Sequence, residues 1–253
     1  MASTPKIIVE ACVGNCADSL VAVENGADRV EFCRLLEVGG LTPDFESFQS
    51  VRSIADVPIV ALIRQRDGDF HYSESDWRGM IRDADKFLDL GADGVVFGAL
   101  NAEKEVDISR AVEMLDLVRR RPGKEAVFHR AFDESRDMWK SWTILRDLGV
   151  DRILTGGGAK SAKFGVENLR RLEMESRAAG SRPEILMGGR VRGDNVVDLL
   201  QKTEGRQVHT ACASDEHPIR LDIDEFRRLI SAIREFESRD RQNTGEGNQK
   251  TSG

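Results

Sequence analysis

The sequence predicts an α/β fold built as a single (β/α)8 barrel, and three observations predict it. Eight short apolar or β-branched runs alternate with eight longer, charged stretches of helical period. Three helix-to-strand junctions repeat one pattern: Asn25-Gly26-Ala27-Asp28-Arg29-Val30, Leu90-Gly91-Ala92-Asp93-Gly94-Val95 and Leu148-Gly149-Val150-Asp151-Arg152-Ile153. The first strand-to-helix turn, Gly14-Asn15-Cys16, carries no G-x-G-x-x-G fingerprint, which argues against an open doubly wound sheet.

Taken in order, the strands are expected around residues 6–13, 29–35, 58–64, 94–100, 125–133, 152–158, 184–191 and 207–213. Each is a run rich in Val, Ile, Leu or Phe. The helices are expected at about 17–25, 44–55, 74–90, 107–120, 136–148, 160–179, 194–203 and 223–237, where charge and apolar periodicity return. At the repeated junctions the Gly closes a helix in the left-handed conformation, and Asp makes the turn into the next strand. No second domain is indicated. The barrel is expected over 1–238, and the polar stretch 239–253 reads as a disordered tail.

Composition narrows the function classes. The 253 residues carry 37 Lys and Arg against 44 Asp and Glu, a net charge of −7, which is the wrong sign for a general nucleic-acid binder. No apolar run approaches the roughly 20 residues of a membrane helix, and the N-terminus has no signal-like charge and apolar pattern. Four cysteines are too sparse for a disulfide framework. A cytoplasmic protein with reduced thiols is expected, acting on a small molecule or a metal. Trp77, Trp139 and Trp142 lie on the helical stretches, where they serve barrel-to-helix packing or a contact between copies in a homo-oligomer.

In a barrel the chemistry sits where the strands end at their C-terminal side. Strand one carries Glu10-Ala11-Cys12 and strand two Glu31-Phe32-Cys33. Alternation puts Glu10 with Cys12, and Glu31 with Cys33, on the inner face, while Val9, Val30 and Phe32 face the helices. Neighbouring strands about 4.8 Å apart let the two carboxyls shift each other's ionisation. One could then serve as acid and the other as base or nucleophile, the alternative being that each is neutralised by an Arg. Arg64 and Arg66 at the end of strand three suit an anion clamp, for a substrate oxyanion or for the two carboxylates, or else a solvated loop. His129, with Asp133 four residues on, suits a general acid/base whose tautomer the Asp fixes; the bland alternative is a histidine bonded in the core. Gly157, Gly188 and Gly189 end strands six and seven, where backbone N–H groups can approach a ligand or where tight turns need glycine anyway. Of the other histidines, His209 in strand eight is best placed for a substrate. Thiolates of Cys12 and Cys33 suit Cu(I) or Zn, although buried cysteines commonly pack as small apolar residues.

Taken together, Glu10-Ala11-Cys12, Asn25 to Cys33, Gly39-Gly40-Leu41-Thr42-Pro43, Ile63-Arg64 through Gly68-Asp69-Phe70, Phe128-His129-Arg130-Ala131-Phe132-Asp133, Leu154-Thr155-Gly156-Gly157 and Met187-Gly188-Gly189 resemble the CutC family, named for copper homeostasis. The resemblance runs from about residue 7 to 215. It implies a TIM barrel, cytosolic copper handling, and copper as ligand of Cys12 and Cys33. The set Glu10, Glu31, Arg64, His129 and Asp133 looks instead like an enzyme site, of hydrolase or isomerase type, for a small sugar-like substrate. Three stretches depart from the family pattern. The loop Arg64-Gln65-Arg66-Asp67-Gly68 lacks an expected Pro and second Gly. Arg190 replaces a small residue, and His209 to Ala213 replaces a Ser-rich ending. All three lie on the rim that would meet a ligand.

Overall fold

The structure, a computed structural model, describes residues 6–213 and 219–246. Its strands are β1 (Ile8–Val13), β2 (Arg29–Phe32), β3 (Ile59–Leu62), β4 (Gly94–Phe97), β5 (Glu125–Phe128), β6 (Arg152–Thr155), β7 (Glu184–Met187) and β8 (Gln207–Thr210). Between and after them run α1 (Cys16–Glu24), α2 (Phe45–Ile54), α3 (Glu74–Asp89), α4 (Ile108–Arg119), α5 (Met138–Leu148), α6 (Val166–Ala178), α7 (Val196–Thr203) and α8 (Ile223–Glu246). All strands are parallel and close into one barrel, β8 pairing with β1. The (β/α)8 expectation holds.

The junction repeat has a physical cause. Gly26, Gly91 and Gly149 adopt φ of +101°, +94° and +76°, the left-handed region that glycine enters without a Cβ penalty. The following Asp28, Asp93 and Asp151 then reach sideways. Their carboxylates accept the backbone N–H of Val9, Ile59 and Ala126, near the starts of β1, β3 and β5. Their own backbone N–H groups donate to the carbonyls of the same three residues. Each Asp therefore extends the parallel ladder at its open lower end, where backbone donors would otherwise lack partners.

Alternation divides the strand side chains as expected. Val9, Val30 and Phe32 join the large core between sheet and helices. Cys12 and Cys33 join a smaller cluster with Val60, Leu62, Val96 and Val127 inside the barrel. Trp77 and Trp142 are buried in the outer layer, and the Trp77 indole N–H donates to Glu113 of α4 at 2.6 Å.

Strand ends and the end of the last helix differ from expectation. Seven strands are shorter at their C-terminal ends, because the apolar run continues into loop residues that are buried by the barrel mouth and not by a ladder. His129 is one of these: it caps a 3₁₀ turn over Arg130–Glu134, so His129 and Asp133 do not share a strand face. At the other end of the chain α8 continues to Glu246, eight residues into the expected tail, and residues 247–253 lie outside the described residues.

Candidate functional site at the barrel mouth

The two E-x-C motifs match in sequence but are staggered in space. The β1–β2 register pairs Glu10 with Arg29 and Cys12 with Glu31. Closing a barrel requires such a stagger. The carboxyls therefore sit at different heights and acquire different partners.

Glu10 is 1% exposed, and both its oxygens are occupied. One accepts from the Arg29 guanidinium and the other lies 2.7 Å from His209 Nδ1, on the neighbouring strand. Arg29 also donates to Gln207 at 2.9 Å. Burial would raise the Glu10 carboxyl, but Arg29, followed by His209, holds it well below the usual carboxylate range. Glu31 goes the other way. Burial pushes its carboxyl up, nearby His209 opposes this, and the Glu10 charge adds to the rise. One Glu31 oxygen accepts from the Cys12 thiol at 3.2 Å, and the other is buried with no partner among the described residues.

Cys12, Glu31 and His209 place ligand atoms within 4.8 Å of one another. Cys33 adds a second sulfur 3.8 Å from that of Cys12. The Cys12 thiol is pushed well up by the Cys33 contact and then by burial. Burial would lower the His209 imidazole, but the Glu31 charge and bonds to Cys12 and Glu10 raise it well above its ordinary value. The cluster thus joins two soft sulfurs, an imidazole oriented by a carboxylate, and an open carboxyl oxygen. Such a set can hold a thiophilic metal ion or carry a proton.

The remaining expected residues separate from this centre. Arg64 is buried and donates to the carbonyls of Val38, Gly40 and Gly68, not to Glu10 or Glu31. The Gly39 to Pro43 segment is shaped to do this: Leu41 and Arg34 exchange backbone bonds, and Thr42 bonds the Arg64 backbone through its own N–H and hydroxyl. Arg66 is taken up by its own loop, bonding Asp69 at 2.8 Å and the carbonyls of Asp67, Asp69 and His71. It folds over Tyr72 instead of reaching into the mouth.

His129 is not held by Asp133. Its Nδ1 accepts from the Ala131 N–H at 3.1 Å, and its Nε2 is buried without a partner among the described residues. Asp133 instead ties β5 to β6, accepting from Thr155, the N–H groups of Gly156 and Gly158, and Arg130. The expected orienting role fails because the 3₁₀ turn carries Asp133 away from the imidazole. Gly157 answers to its own backbone: a Cβ there would meet the Gly165 carbonyl oxygen at 2.3 Å. Gly188 makes room for Leu154, since its Cβ would meet Leu154 Cδ1 at 2.5 Å, and Gly189 lies beside the Arg130 guanidinium. Three roles were not foreseen from the sequence: Arg29 as the partner of Glu10, His209 as the hub, and Tyr72, whose burial under a loop leaves no periodic signal. A cavity of about 990 Å³ opens at the opposite face, beside Glu184, Arg206 and Gln207 at the strand starts, and Gln207 links it to Arg29.

Comparison with known proteins adds a second line of observation. A family model described as the CutC family matches residues 7–214. A family protein CutC from Glaesserella parasuis is 36% identical, covering 88% of this chain and 90% of that relative. Another from Klebsiella pneumoniae (strain 342) is 38% identical, covering 87% and 91%. A crystal structure assigned as the copper homeostasis protein CutC from Streptococcus agalactiae superposes with a TM-score of 0.74 at 29% identity, over 81% of this chain and 98% of that one. Phosphoribosylanthranilate isomerase from Thermotoga maritima matches with a TM-score of 0.61 at 16% identity, over 90% and 99%, which is a likeness of fold alone.

Proposed function

The chain belongs to the CutC family, and from that premise we propose that it takes up a copper ion as cargo at the barrel mouth, as Cu(I) held by Cys12 and Cys33, and serves copper homeostasis in the cytoplasm. The observation that carries this reading is the 3.8 Å separation of the two sulfurs. Two sulfurs each about 2.3 Å from one ion, at a tetrahedral or trigonal angle, lie about 3.8–4.0 Å apart. Thiolates suit Cu(I), and an imidazole is an acceptable further donor. His209 fits that place: with Nδ1 engaged by Glu10, Nε2 is the nitrogen left for an ion, and the carboxylate–histidine contact is the usual way of orienting a metal-binding imidazole.

The test is competition for Cu(I) against a calibrated chelator, using the wild type and the single variants Cys12→Ser and Cys33→Ser. Tight uptake by the wild type and its loss in both variants is the expected result. Equal uptake in all three proteins would remove Cys12 and Cys33 as the ligands, and no uptake by the wild type would remove copper from the reading.

A second reading has its own observation. Glu31 keeps a free oxygen and a raised carboxyl while Glu10 is held ionised, the separation of pKa values that acid/base enzymes use. On this reading the barrel is a hydrolase or isomerase for a small sugar-like substrate. Glu31 carries the proton, and Glu10, with both oxygens engaged, positions His209. A screen of sugars and phosphosugars with wild type and Glu31→Gln decides it. Turnover that survives Glu31→Gln would sink the proton-carrier role.

A further inference from the structure

Beside the thiol cluster, the ends of β3 and β5 bring together a group of polar atoms that protein contacts leave unmatched. Arg64 Nε, Tyr72 Oη and His129 Nε2 are all buried, and among the described residues none of them has a partner within hydrogen-bond criteria. The residues themselves are 6%, 2% and 5% exposed. One aromatic ring gathers two of them: the Arg64 guanidinium lies 5.1 Å from the centre of Phe70, and the His129 ring lies 4.8 Å from it. Tyr72 follows two residues later, and both it and His129 lie within electrostatic reach of Arg64.

All three atoms can donate a hydrogen bond, and the Tyr72 oxygen can also accept one. Arginine stays charged in proteins, so Nε is an N–H donor. The His129 imidazole accepts from Ala131 through Nδ1, so the neutral ring carries its proton on Nε2. Burial, followed by Arg64, keeps that ring neutral, pushing it down to about 3, and burial keeps the Tyr72 hydroxyl protonated, pushed up to about 12. Arg64 also makes a polar contact with the Tyr72 hydroxyl, and none of the three groups meets a carboxylate among the described residues. The Nη groups of Arg64 donate to carbonyls. Buried cations are ordinarily paired.

We infer that Arg64, Tyr72 and His129 form an oxyanion subsite that takes the carboxylate of a small organic monoanion. A water molecule has two lone pairs and brings no charge, whereas a carboxylate offers about four acceptor positions and the missing negative charge. One guanidinium with a neutral imidazole and a neutral phenol balances a single charge, which favours a carboxylate over a phosphate dianion. Phe70 supplies an apolar wall for the body of the molecule. The fold makes room for this arrangement: a Cβ at Gly98 would lie 2.5 Å from the His129 ring, so only glycine lets the imidazole stand where it does. The exposed stretch 67–69 folds back over Arg64, to which Gly68 lends its carbonyl, and it is the natural entry.

The test uses the full chain with sodium acetate, glycolate and pyruvate, read by calorimetry and thermal shift at constant ionic strength, with chloride and phosphate as controls. Saturable binding of at least one monocarboxylate is expected, with phosphate weaker. Tyr72→Phe should weaken that binding about ten-fold, while the unliganded variant melts at or above the wild-type temperature, because it loses an unmatched buried hydroxyl. The Nε2 proton of His129, followed by NMR in the wild type, should move downfield as carboxylate is added; this arm stands even where a variant folds poorly. The Cys12→Ser, Cys33→Ser double variant should keep carboxylate binding, which separates this subsite from the copper reading. Absence of saturable carboxylate binding, equal affinity in Tyr72→Phe, preference for phosphate, or loss of binding with the thiols would each overturn it.

Discussion

Glu10 shows how much one residue's role depends on its contacts. Its side chain is enclosed by Arg29 on one strand and His209 on another, and it holds both in place. Glu10→Gln keeps the shape and removes the charge. Arg29 would then be a buried cation without its counter-charge, and we expect a loss of stability of about 3 kcal/mol in chemical unfolding. If His209 binds copper, the same variant should weaken Cu(I) affinity roughly 10–100-fold by losing the orienting carboxylate; an unchanged affinity would take His209 out of the ligand set. Glu173 on α6 is the converse case. It is buried with an oxygen that has no partner among the described residues, and burial, opposed by Arg177 and Arg206, pushes its carboxyl up to about 7. A carboxyl raised in the folded state costs nothing at low pH, where both states are protonated. The cost grows as pH rises from the ordinary value of 4.5 through about 7, and is complete above that. Glu173→Gln should therefore gain on the order of 3 kcal/mol over wild type at pH 8 relative to pH 4. Urea midpoints at the two pH values measure this, and a pH-independent difference would contradict it.

At the scale of elements, the loops after the strands are held by side chains that read from sequence as chemistry. Asp133 joins the end of β5 to the start of the β6–α6 loop through two backbone N–H groups and Thr155. Asp133→Ala would leave buried donors unmatched, and we expect a loss of about 3 kcal/mol together with faster amide exchange at Gly156. Unchanged exchange there would show that the glycines hold the loop unaided. Arg66, Thr42 and Asp133 belong to one class: polar residues at the rim whose hydrogen bonds shape the wall around the mouth. The strand alternation that placed Glu10, Cys12, Glu31 and Cys33 inside was legible because it is local. The roles of Thr42 and Asp133 were not, since their partners Arg64 and Thr155 each lie 22 residues away along the chain.

At the scale of the molecule, the barrel closes unevenly. The β6–β7 ladder has four register pairs, whereas β7–β8 has one, Met187 with Val208. The seam gains support from Gln207, which donates to Glu184 at 2.7 Å. Among the strands, amides along this seam should exchange first in native-state hydrogen exchange. His209 stands on β8, so copper loading should slow exchange there. Ligand at about 100 times its dissociation constant should also raise the melting temperature by roughly 5–10 °C. A melting temperature indifferent to Cu(I) would count against a site built into the barrel.

Sequence alone determined the number of units, the parallel barrel, the repeated Gly and Asp junctions, and which strand residues face inward. These follow from periods of 2 and 3.6 residues and from turn chemistry, all of them local. Tertiary structure decided who meets whom. The stagger that pairs Cys12 with Glu31 and Glu10 with Arg29 is a condition of closing the whole sheet. The turn that separates His129 from Asp133 and leaves its Nε2 unmatched among the described residues depends on packing beneath loops. No short window of sequence contains either constraint, because each acts between strands far apart in the chain.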